Sequence, residues 1–151
     1  MSSIMSRSPW LVHVNANSCN GCDIELLACL TPIYDAERLG VLNIGTPKQA
    51  DIMLVTGSIN YKNMDVVLNI YNQIPNPKVV VAVGACACSG GIFHNCYNVI
   101  GGADKIVPVD VFVPGCCPKP ETILEGIAKG AAVLDKKRLE IKQNGIKEVS
   151  K

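Results

Sequence analysis

The chain has 151 residues, carries a formal net charge of +1 and is 48% apolar. A length of roughly 100 to 200 residues is typical of one domain, and this apolar fraction excludes an intrinsically disordered chain. The near-neutral charge excludes a strong electrostatic attraction to nucleic acid or an anionic membrane surface, and the longest apolar run, at residues 79–85, is far below the roughly 20 residues that cross a membrane.

Sequence patterns predict alternating strands and helices. In chain order they are a strand at 10–14, a helix at 23–30, strands at 41–45 and 51–57, a helix at 63–74, strands at 78–84 and 106–114, and a long helix at 118–139. The strand at 78–84 is apolar on both faces, as in a parallel sheet covered by helices on each side. We therefore predict a single α/β doubly wound domain at 10–140, with an N-terminal extension at 1–9 and a loose polar tail at 141–151.

The cysteine content indicates metal or redox chemistry. The N-terminal residues contain no long apolar segment and no paired arginines, so they do not resemble an export signal and a cytoplasmic location is expected. In such a reducing compartment, eight cysteines are not expected to form a disulfide framework. Metal binding or redox activity is therefore the favoured use of the thiols.

Cysteines follow three of the predicted strands. They lie in the segments 18–22 (SCNGC), 84–91 (GACACSGG) and 114–118 (PGCCP), and each segment contains glycine. Because the carboxyl ends of parallel strands meet in one crevice, four thiolates from these segments are expected to close one site. Glycine allows backbone N–H groups to come close to anionic sulfurs, as an iron–sulfur cluster requires.

Other interpretations of the cysteines stay open at this point. A structural zinc site with four cysteine ligands usually pairs two C-x-x-C knuckles, and a thioredoxin-like redox motif does not require two further cysteine segments. An unpaired cysteine is also often a small buried hydrophobic residue. The iron–sulfur interpretation is favoured because it uses all three segments.

Five segments carry a resemblance to a known family. They are 18–25 (SCNGCDIE), 34–40 (YDAERLG), 46–57 (TPKQADIMLVTG), 82–86 (AVGAC) and 106–116 (IVPVDVFVPGC). In this order they resemble the small, electron-transfer subunit of the energy-converting [NiFe] hydrogenases, which is similar to the cluster-bearing subunit of respiratory NADH:quinone oxidoreductase. The resemblance implies a flavodoxin-like fold, with a mainly parallel sheet and helices on both faces. It also implies one [4Fe-4S] cluster, the proximal cluster beside a nickel–iron centre.

The resemblance also implies the cluster ligands, which are Cys19, Cys22, Cys86 and Cys116. Cys117 directly follows Cys116, at a position where the family commonly has proline, and Cys88 lies two residues beyond Cys86. Both remain alternative ligands. We prefer Cys116 over Cys117 because the preceding Pro-Gly places it at the family position and leaves the next residue to enter a helix.

The resemblance implies an electron-transfer role without catalysis in this chain. Electrons from reduced ferredoxin would pass through the clusters of a polyferredoxin-like partner to this subunit and then to the [NiFe] centre of a large catalytic subunit. Proton reduction or hydrogen oxidation there would be coupled to ion translocation by integral membrane subunits. The chain is then expected at the cytoplasmic side of the cell membrane, held peripherally by its partners.

Two features bear on the branch of the family. Asn20 and Gly21 separate the first two cysteines, whereas the quinone reductases have two adjacent cysteines there, so a hydrogenase is favoured. The segments 34–40 and 46–49 look instead like the quinone-reductase branch, and the energy-converting hydrogenases combine both traits. The alternatives are the equivalent subunit of a quinone or phenazine oxidoreductase and, from another class, a stand-alone redox module or zinc-binding module with four cysteine ligands.

Two carboxylates follow the first cysteine pair. Asp23 and Glu25 fall in the first turn of a predicted helix, where the helix dipole favours a carboxylate by about 0.3 to 1 kcal/mol. This effect accounts for Asp23. Glu25 lies three residues after Cys22, on the same helix face, and matches an acidic position in the family. We hypothesise that Glu25 faces the large subunit and couples the redox state of the cluster to proton uptake.

The remaining candidate residues are not expected to bind a cofactor. Cys29 and Cys96 are predicted to be buried or incidental thiols, and His13 and His94 to be hydrogen-bonded core or surface histidines. The glycine-rich segment 84–91 lacks the Gly-Lys-Ser/Thr ending of a phosphate-binding loop, so nucleotide binding is not predicted. Nucleic-acid binding is not predicted either, because the net charge is only +1.

Overall fold

The structure, a computed structural model, describes the backbone of residues 8–149 and the side chains of residues 8–143. Strands and helices alternate along most of this length. In chain order they are β1 (Trp10–Asn15), α1 (Gly21–Ala28), β2 (Leu42–Asn43), β3 (Ile52–Thr56), β4 (Ile59–Asn60), α2 (Met64–Gln73), β5 (Val79–Val83), α3 (Gly84–Ser89), β6 (Val99–Gly101), β7 (Val111–Val113) and α4 (Pro120–Val149). Short 3₁₀ helices lie at Ala36–Leu39, Pro47–Gln49, Gly91–Phe93 and Ala103–Lys105.

Five strands form one parallel sheet in the order β2-β1-β3-β5-β7. The central strand β3 pairs with β1 on one side and with β5 on the other along its whole length. Counted within the sheet, the order is 2-1-3-4-5, which is the flavodoxin-like arrangement. The predicted fold class is therefore confirmed. The short strands β4 and β6 form a separate antiparallel pair.

Helices cover both faces of the sheet. Leu26 of α1 and Ile123 of α4 pack with buried strand residues in one hydrophobic cluster, and Val67 of α2 packs in a second cluster with the other strand faces. All residues of β3 and β5 are buried, as expected for strands that are enclosed on both sides. Among residues 8–149, no helix has the length and apolar character needed to span a bilayer.

Several elements differ from the sequence prediction. Strands β4 and β6 were not predicted, and the strand predicted at 41–45 is shortened to β2. Helix α4 does not end at residue 139 but continues to Val149, because residues 140–149 contain no proline and half of them are strong helix formers. The backbone of the predicted loose tail is thus helical up to residue 149. The strand predicted at 106–114 is reduced to β7, since Pro108 cannot donate a hydrogen bond to a neighbouring strand. The segment 84–91, for which no helix was predicted, begins with α3.

The predicted division of the chain stays a prediction. Most of the N-terminal extension at 1–9 lies outside the described residues, as do residues 150 and 151. The region 10–140 contains all the sheet strands and the helices packed on them, apart from the last part of α4.

Candidate metal centre

Three cysteine-bearing segments meet at the carboxyl edge of the sheet. The loop after β1 leads into α1, the end of β5 leads directly into α3, and the end of β7 leads into the segment 114–118. The N–H of Ala85 donates a 2.8 Å hydrogen bond to the carbonyl of Gly115, which joins the second segment to the third. A Cβ atom on Gly84 would lie 2.5 Å from the sulfur of Cys22, which joins the second segment to the first.

Gly84 is required for this close approach. Its φ angle is +88°, in the left-handed region that residues with a side chain rarely adopt. The space that a side chain would need is occupied by the Cys22 sulfur and, at 3.6 Å, by the carbonyl oxygen of Gly115. The turn from β5 into α3 can therefore pass directly against Cys22.

Gly57 has the same role beside the first cysteine. It follows β3 with a φ angle of +83°, and a Cβ atom there would lie 2.4 Å from the backbone nitrogen of Ser18. The absence of a side chain lets the backbone leading to Cys19 pack on the end of β3.

Five thiols converge in this crevice. A single point, the position of a Cβ atom on Gly21, lies 3.6 Å from the sulfur of Cys19 and 3.8 Å from that of Cys117. Cys22 and Cys86 are close enough to these thiols for their charges to interact, and Cys86 interacts in the same way with Cys116. The structure therefore brings together the four predicted ligands and adds Cys117 to them.

The thiol group is electrostatically crowded. The pKa of Cys22 is raised to about 12, mainly by burial and, in decreasing order, by the charges of Cys117, Cys19, Cys86 and Asp23. Burial also raises the pKa of Cys86, with added contributions from Cys116 and Cys19. Thiolates that repel one another in this way are stabilised by a bound cation, because a coordinating thiol is deprotonated by its metal.

An iron–sulfur cluster matches these donors. All five converging side chains are thiols, and Gly21, Gly84 and Gly91 lie against the sulfurs of four of them. A [4Fe-4S] cluster takes four cysteine ligands. No three histidine, cysteine, aspartate or glutamate side chains among the described residues are arranged to hold a single metal ion.

The other three cysteines lie apart from this group. The thiol of Cys88 points to the backbone and donates to the carbonyls of Ala82 at 3.6 Å and Val113 at 3.7 Å. Cys29 is buried, as predicted, and its thiol lies 3.5 Å from the carbonyl of Pro120. Cys96 is exposed, which agrees with an incidental thiol.

The predicted helix-dipole explanation of Asp23 is incomplete. Asp23 does lie in the first turn of α1, but only 8% of its surface is exposed, and it accepts hydrogen bonds from His13, Thr56 and Asn15. The reason is that α1 packs against the ends of β1 and β3, which carry these three side chains. His13 is accordingly a hydrogen-bonded, half-buried histidine, as predicted, while His94 is exposed.

Glu25 lies further along α1 and is half-buried. The pKa of Cys29 is raised to about 11, mainly by burial, and the charge of Glu25 is one of the smaller contributions to this increase. The carboxylate that raises the pKa of Cys22 is Asp23. Different roles were predicted for these two acids, but no sequence signal indicated that Asp23 is the buried one.

A cleft of about 220 Å³ opens beside Cys19, and exposed apolar side chains lie on or near the helices that carry Cys22 and Cys86. The cleft is lined by Asn17, Ser18, Cys19, Ser58, Phe93 and Val99. Ile24 and Leu27 are exposed on α1, the helix that carries Cys22, and Ile92 is exposed shortly after α3, which carries Cys86. The thiol group thus lies at an accessible, partly apolar surface.

Known proteins resemble this chain over most of its length. The family model described as NADH ubiquinone oxidoreductase, 20 Kd subunit, matches residues 19–130. The probable membrane-bound hydrogenase subunit mbhJ of Pyrococcus furiosus is 53% identical over 123 residues, which cover 82% of this chain and 74% of that protein. Formate hydrogenlyase subunit 7 of Escherichia coli is 44% identical over 133 residues, which cover 88% of this chain and 52% of that protein, so this chain spans about half its length.

A solved structure also resembles this chain over most of its length. One chain of the membrane-bound sulfane sulfur reductase, described as an archaeal respiratory membrane complex, superposes with a TM-score of 0.74 at 37% identity. The match covers 86% of this chain and 72% of that chain.

Proposed function

Because the chain belongs to the family of the 20 kDa subunit of NADH ubiquinone oxidoreductase, we propose that it is the electron-transfer subunit of an energy-converting [NiFe] hydrogenase complex. The observation that supports this proposal best is the convergence of thiols from three loops at the carboxyl edge of the sheet. Its similarity to a probable membrane-bound hydrogenase subunit favours the hydrogenase branch. The chain itself performs no catalysis in this role.

The proposed ligands of one [4Fe-4S] cluster are Cys19, Cys22, Cys86 and Cys116. When bound, the cluster supplies one-electron transfer between the clusters of a ferredoxin-like partner subunit and the nickel–iron centre of a large catalytic subunit. Cys22 is buried and held at the start of α1, while Cys19 and Cys116 are exposed. The chain therefore encloses its thiols on one side and leaves the other side open to a partner.

The open side has the character of a subunit interface. Large exposed apolar side chains at one place are typical of protein–protein contacts. Ile24, Leu27 and Ile92 lie on or next to the elements that carry Cys22 and Cys86, so a partner bound there would cover the thiol group. We assign this surface to the large [NiFe] subunit. Attachment to the cytoplasmic side of the membrane would come from the integral membrane subunits of the complex.

Glu25 is proposed to couple proton uptake to the redox state of the cluster. Its half-buried carboxylate lies one turn along α1 from Cys22, on the helix whose exposed residues face the proposed partner. The midpoint potential of the cluster is expected to depend on pH, and the Glu25→Gln variant should weaken that dependence. A potential that does not change with pH in the native protein, or an identical dependence in the variant, contradicts this role.

Metal analysis tests the proposed function directly. The full-length chain, purified anaerobically together with the subunits that accompany it, should contain about four irons and about four sulfides per chain. Low-temperature EPR after reduction should show one cubane-type signal. A chain that contains zinc and no iron would refute the proposal and support a stand-alone zinc module.

Activity of the same preparation separates the branches of the family. Hydrogen evolution that depends on a copurifying nickel-containing subunit supports a hydrogenase. Reduction of quinone, phenazine or sulfane sulfur by a complex without nickel would instead place the chain in a related oxidoreductase, an alternative favoured by its similarity to a chain of the sulfane sulfur reductase.

A further inference from the structure

A buried polar network lies beneath the first cysteine pair. Among the side chains of residues 8–143, Asp23 is the one acidic or basic residue that is buried. A helix-dipole interaction does not require this burial, because a carboxylate at a helix start is stabilised equally well at the surface. Burying a carboxylate is costly unless hydrogen bonds compensate it, so the partners of Asp23 need an explanation of their own.

Both carboxylate oxygens of Asp23 are used. Oδ1 accepts hydrogen bonds from the Thr56 hydroxyl at 2.5 Å and from His13 Nε2–H at 2.9 Å. Oδ2 accepts from the Asn15 side-chain amide at 2.8 Å. Because an ionised carboxylate only accepts hydrogen bonds, Nε2 of His13 carries a hydrogen in this arrangement. The negative charge is thus held by donors on two adjacent strands, β1 and β3.

The same network reaches the backbone around the cysteines. The side-chain amide of Asn15 donates to Asn20 Oδ1 at 3.0 Å, and its oxygen accepts from the N–H of Ser18 at 2.8 Å. Asn20 has a φ angle of 69° and directly precedes α1. The residues on both sides of Cys19 are therefore tied through Asn15 to Asp23, which itself follows Cys22.

We propose that Asp23 is a positioning residue that fixes the loop of Cys19 and Cys22 on the strand ends and keeps a negative charge beside Cys22, which lowers the reduction potential of the bound cluster. This proposal rests on the proposed function. Reduction adds an electron to the site, and a fixed negative charge nearby opposes that addition. Burial is the main cause of the raised pKa of Cys22, and the Asp23 carboxylate is one of the charges that add to it, which agrees with this proximity.

A matched pair of variants tests the effect of the charge. Asp23→Asn and Asp65→Asn each remove one carboxylate from the first turn of a helix, but Asp65 is exposed on α2. Midpoint potentials are measured at one pH by EPR-monitored redox titration of the iron-containing protein. We expect a more positive potential in Asp23→Asn than in both the native protein and Asp65→Asn. Equal potentials in all three proteins would overturn the proposed effect of the charge.

The Thr56→Val variant tests the positioning role separately. It removes one donor to Asp23 but leaves the carboxylate and the volume of the side chain nearly unchanged. We expect faster backbone hydrogen exchange in residues 15–28 for both Thr56→Val and Asp23→Asn, and a smaller change of potential in Thr56→Val. Unchanged exchange in both variants would overturn the positioning role.

The redox titration and the hydrogen-exchange measurement test the proposed function and the role of Asp23 separately. Hydrogen exchange can be measured on the metal-free chain, so it decides the positioning role even where Asp23→Asn retains no cluster. A native protein without any reducible cluster refutes the proposed function and, with it, the effect on potential. If the native protein holds a cluster and Asp23→Asn has the same midpoint potential, the effect of Asp23 on the potential is refuted but the proposed function is not.

Discussion

The two ends of the parallel sheet hold their charges in different ways. At the amino ends of the strands, the carboxylates that precede β3 and β7 are paired with cations of α4. Asp51 pairs with Arg138 at 2.5 Å, and Asp110 pairs with Lys137 at 2.6 Å. At the carboxyl ends, five thiols and the buried Asp23 lie together, and the ion pairs of the described residues bring no lysine or arginine there.

This difference separates stability from function along the strands. The ion pairs at the amino ends hold α4 against the sheet without any bound group. The thiols at the carboxyl ends repel one another in their ionised form and need a bound cation to be stable as thiolates. Changes at the amino ends should therefore affect the free energy of unfolding but not the metal content, whereas changes at the carboxyl ends should affect the metal content as well.

The largest effect is expected at the last ligand position. Cys116→Ala should lose most of the bound iron, because it removes one of four proposed ligands. Cys117→Ala should retain the iron, although its thiol is in the same crevice, and Cys96→Ala serves as a control outside it. Iron and sulfide analysis of the three variants provides the measurement. Iron lost from Cys117→Ala and retained in Cys116→Ala would reverse the ligand assignment.

A methyl group at the crevice should also be strongly destabilising. Gly84→Ala forces a side chain into left-handed backbone at a cost of about 1 to 2 kcal/mol, and it displaces the sulfur of Cys22. We expect a lower urea midpoint for the metal-free chain and reduced iron content. Gly45→Ala is the control, because nothing lies within 4 Å of its Cβ position. Equal stability of the two variants would show that the turn at Gly84 relaxes easily.

High pH should weaken the thiol end of the metal-free chain. The pKa of Cys22 is raised from 9.0 to about 12, first by burial, so the folded chain keeps a proton that the unfolded chain has lost. Its stabilising contribution is complete below about pH 9 and is lost as the pH rises toward 12. The urea midpoint should fall between about pH 8 and about pH 10, and should fall less in Cys22→Ala. The same loss in both proteins would argue against this contribution.

The smallest effect is expected at the amino ends of the strands. Asp110→Asn removes a partly exposed ion pair with Lys137, which should cost less than about 1 kcal/mol. The free energy of unfolding is measured by urea denaturation, with Asp65→Asn as a control for the loss of one negative charge. Iron content should not change. A loss of iron in Asp110→Asn would contradict the separation of the two ends.

The sheet and the meeting point of the cysteines were predictable from sequence because both depend on local patterns. Runs such as 79–83 are apolar on both faces, which indicates an enclosed parallel strand. Each cysteine segment follows a predicted strand, and the topology of a parallel sheet brings those ends together. The end of α4 and the start of β7 were placed less well, because helix ends without a breaker and strands interrupted by proline leave weak signals.

Tertiary structure alone decided the roles of individual side chains at the site. Cys88 and Cys117 each stand two residues or fewer from a proposed ligand, yet Cys88 points to backbone carbonyls and Cys117 points into the crevice. Asp23 is buried by His13 and Thr56, which lie 10 and 33 residues away in the chain. The direction of a side chain in a loop depends on the backbone angles and on packing by distant residues. The sequence therefore determined which thiols could meet, and the packing of α1 on two strand ends decided how one pair of them is held.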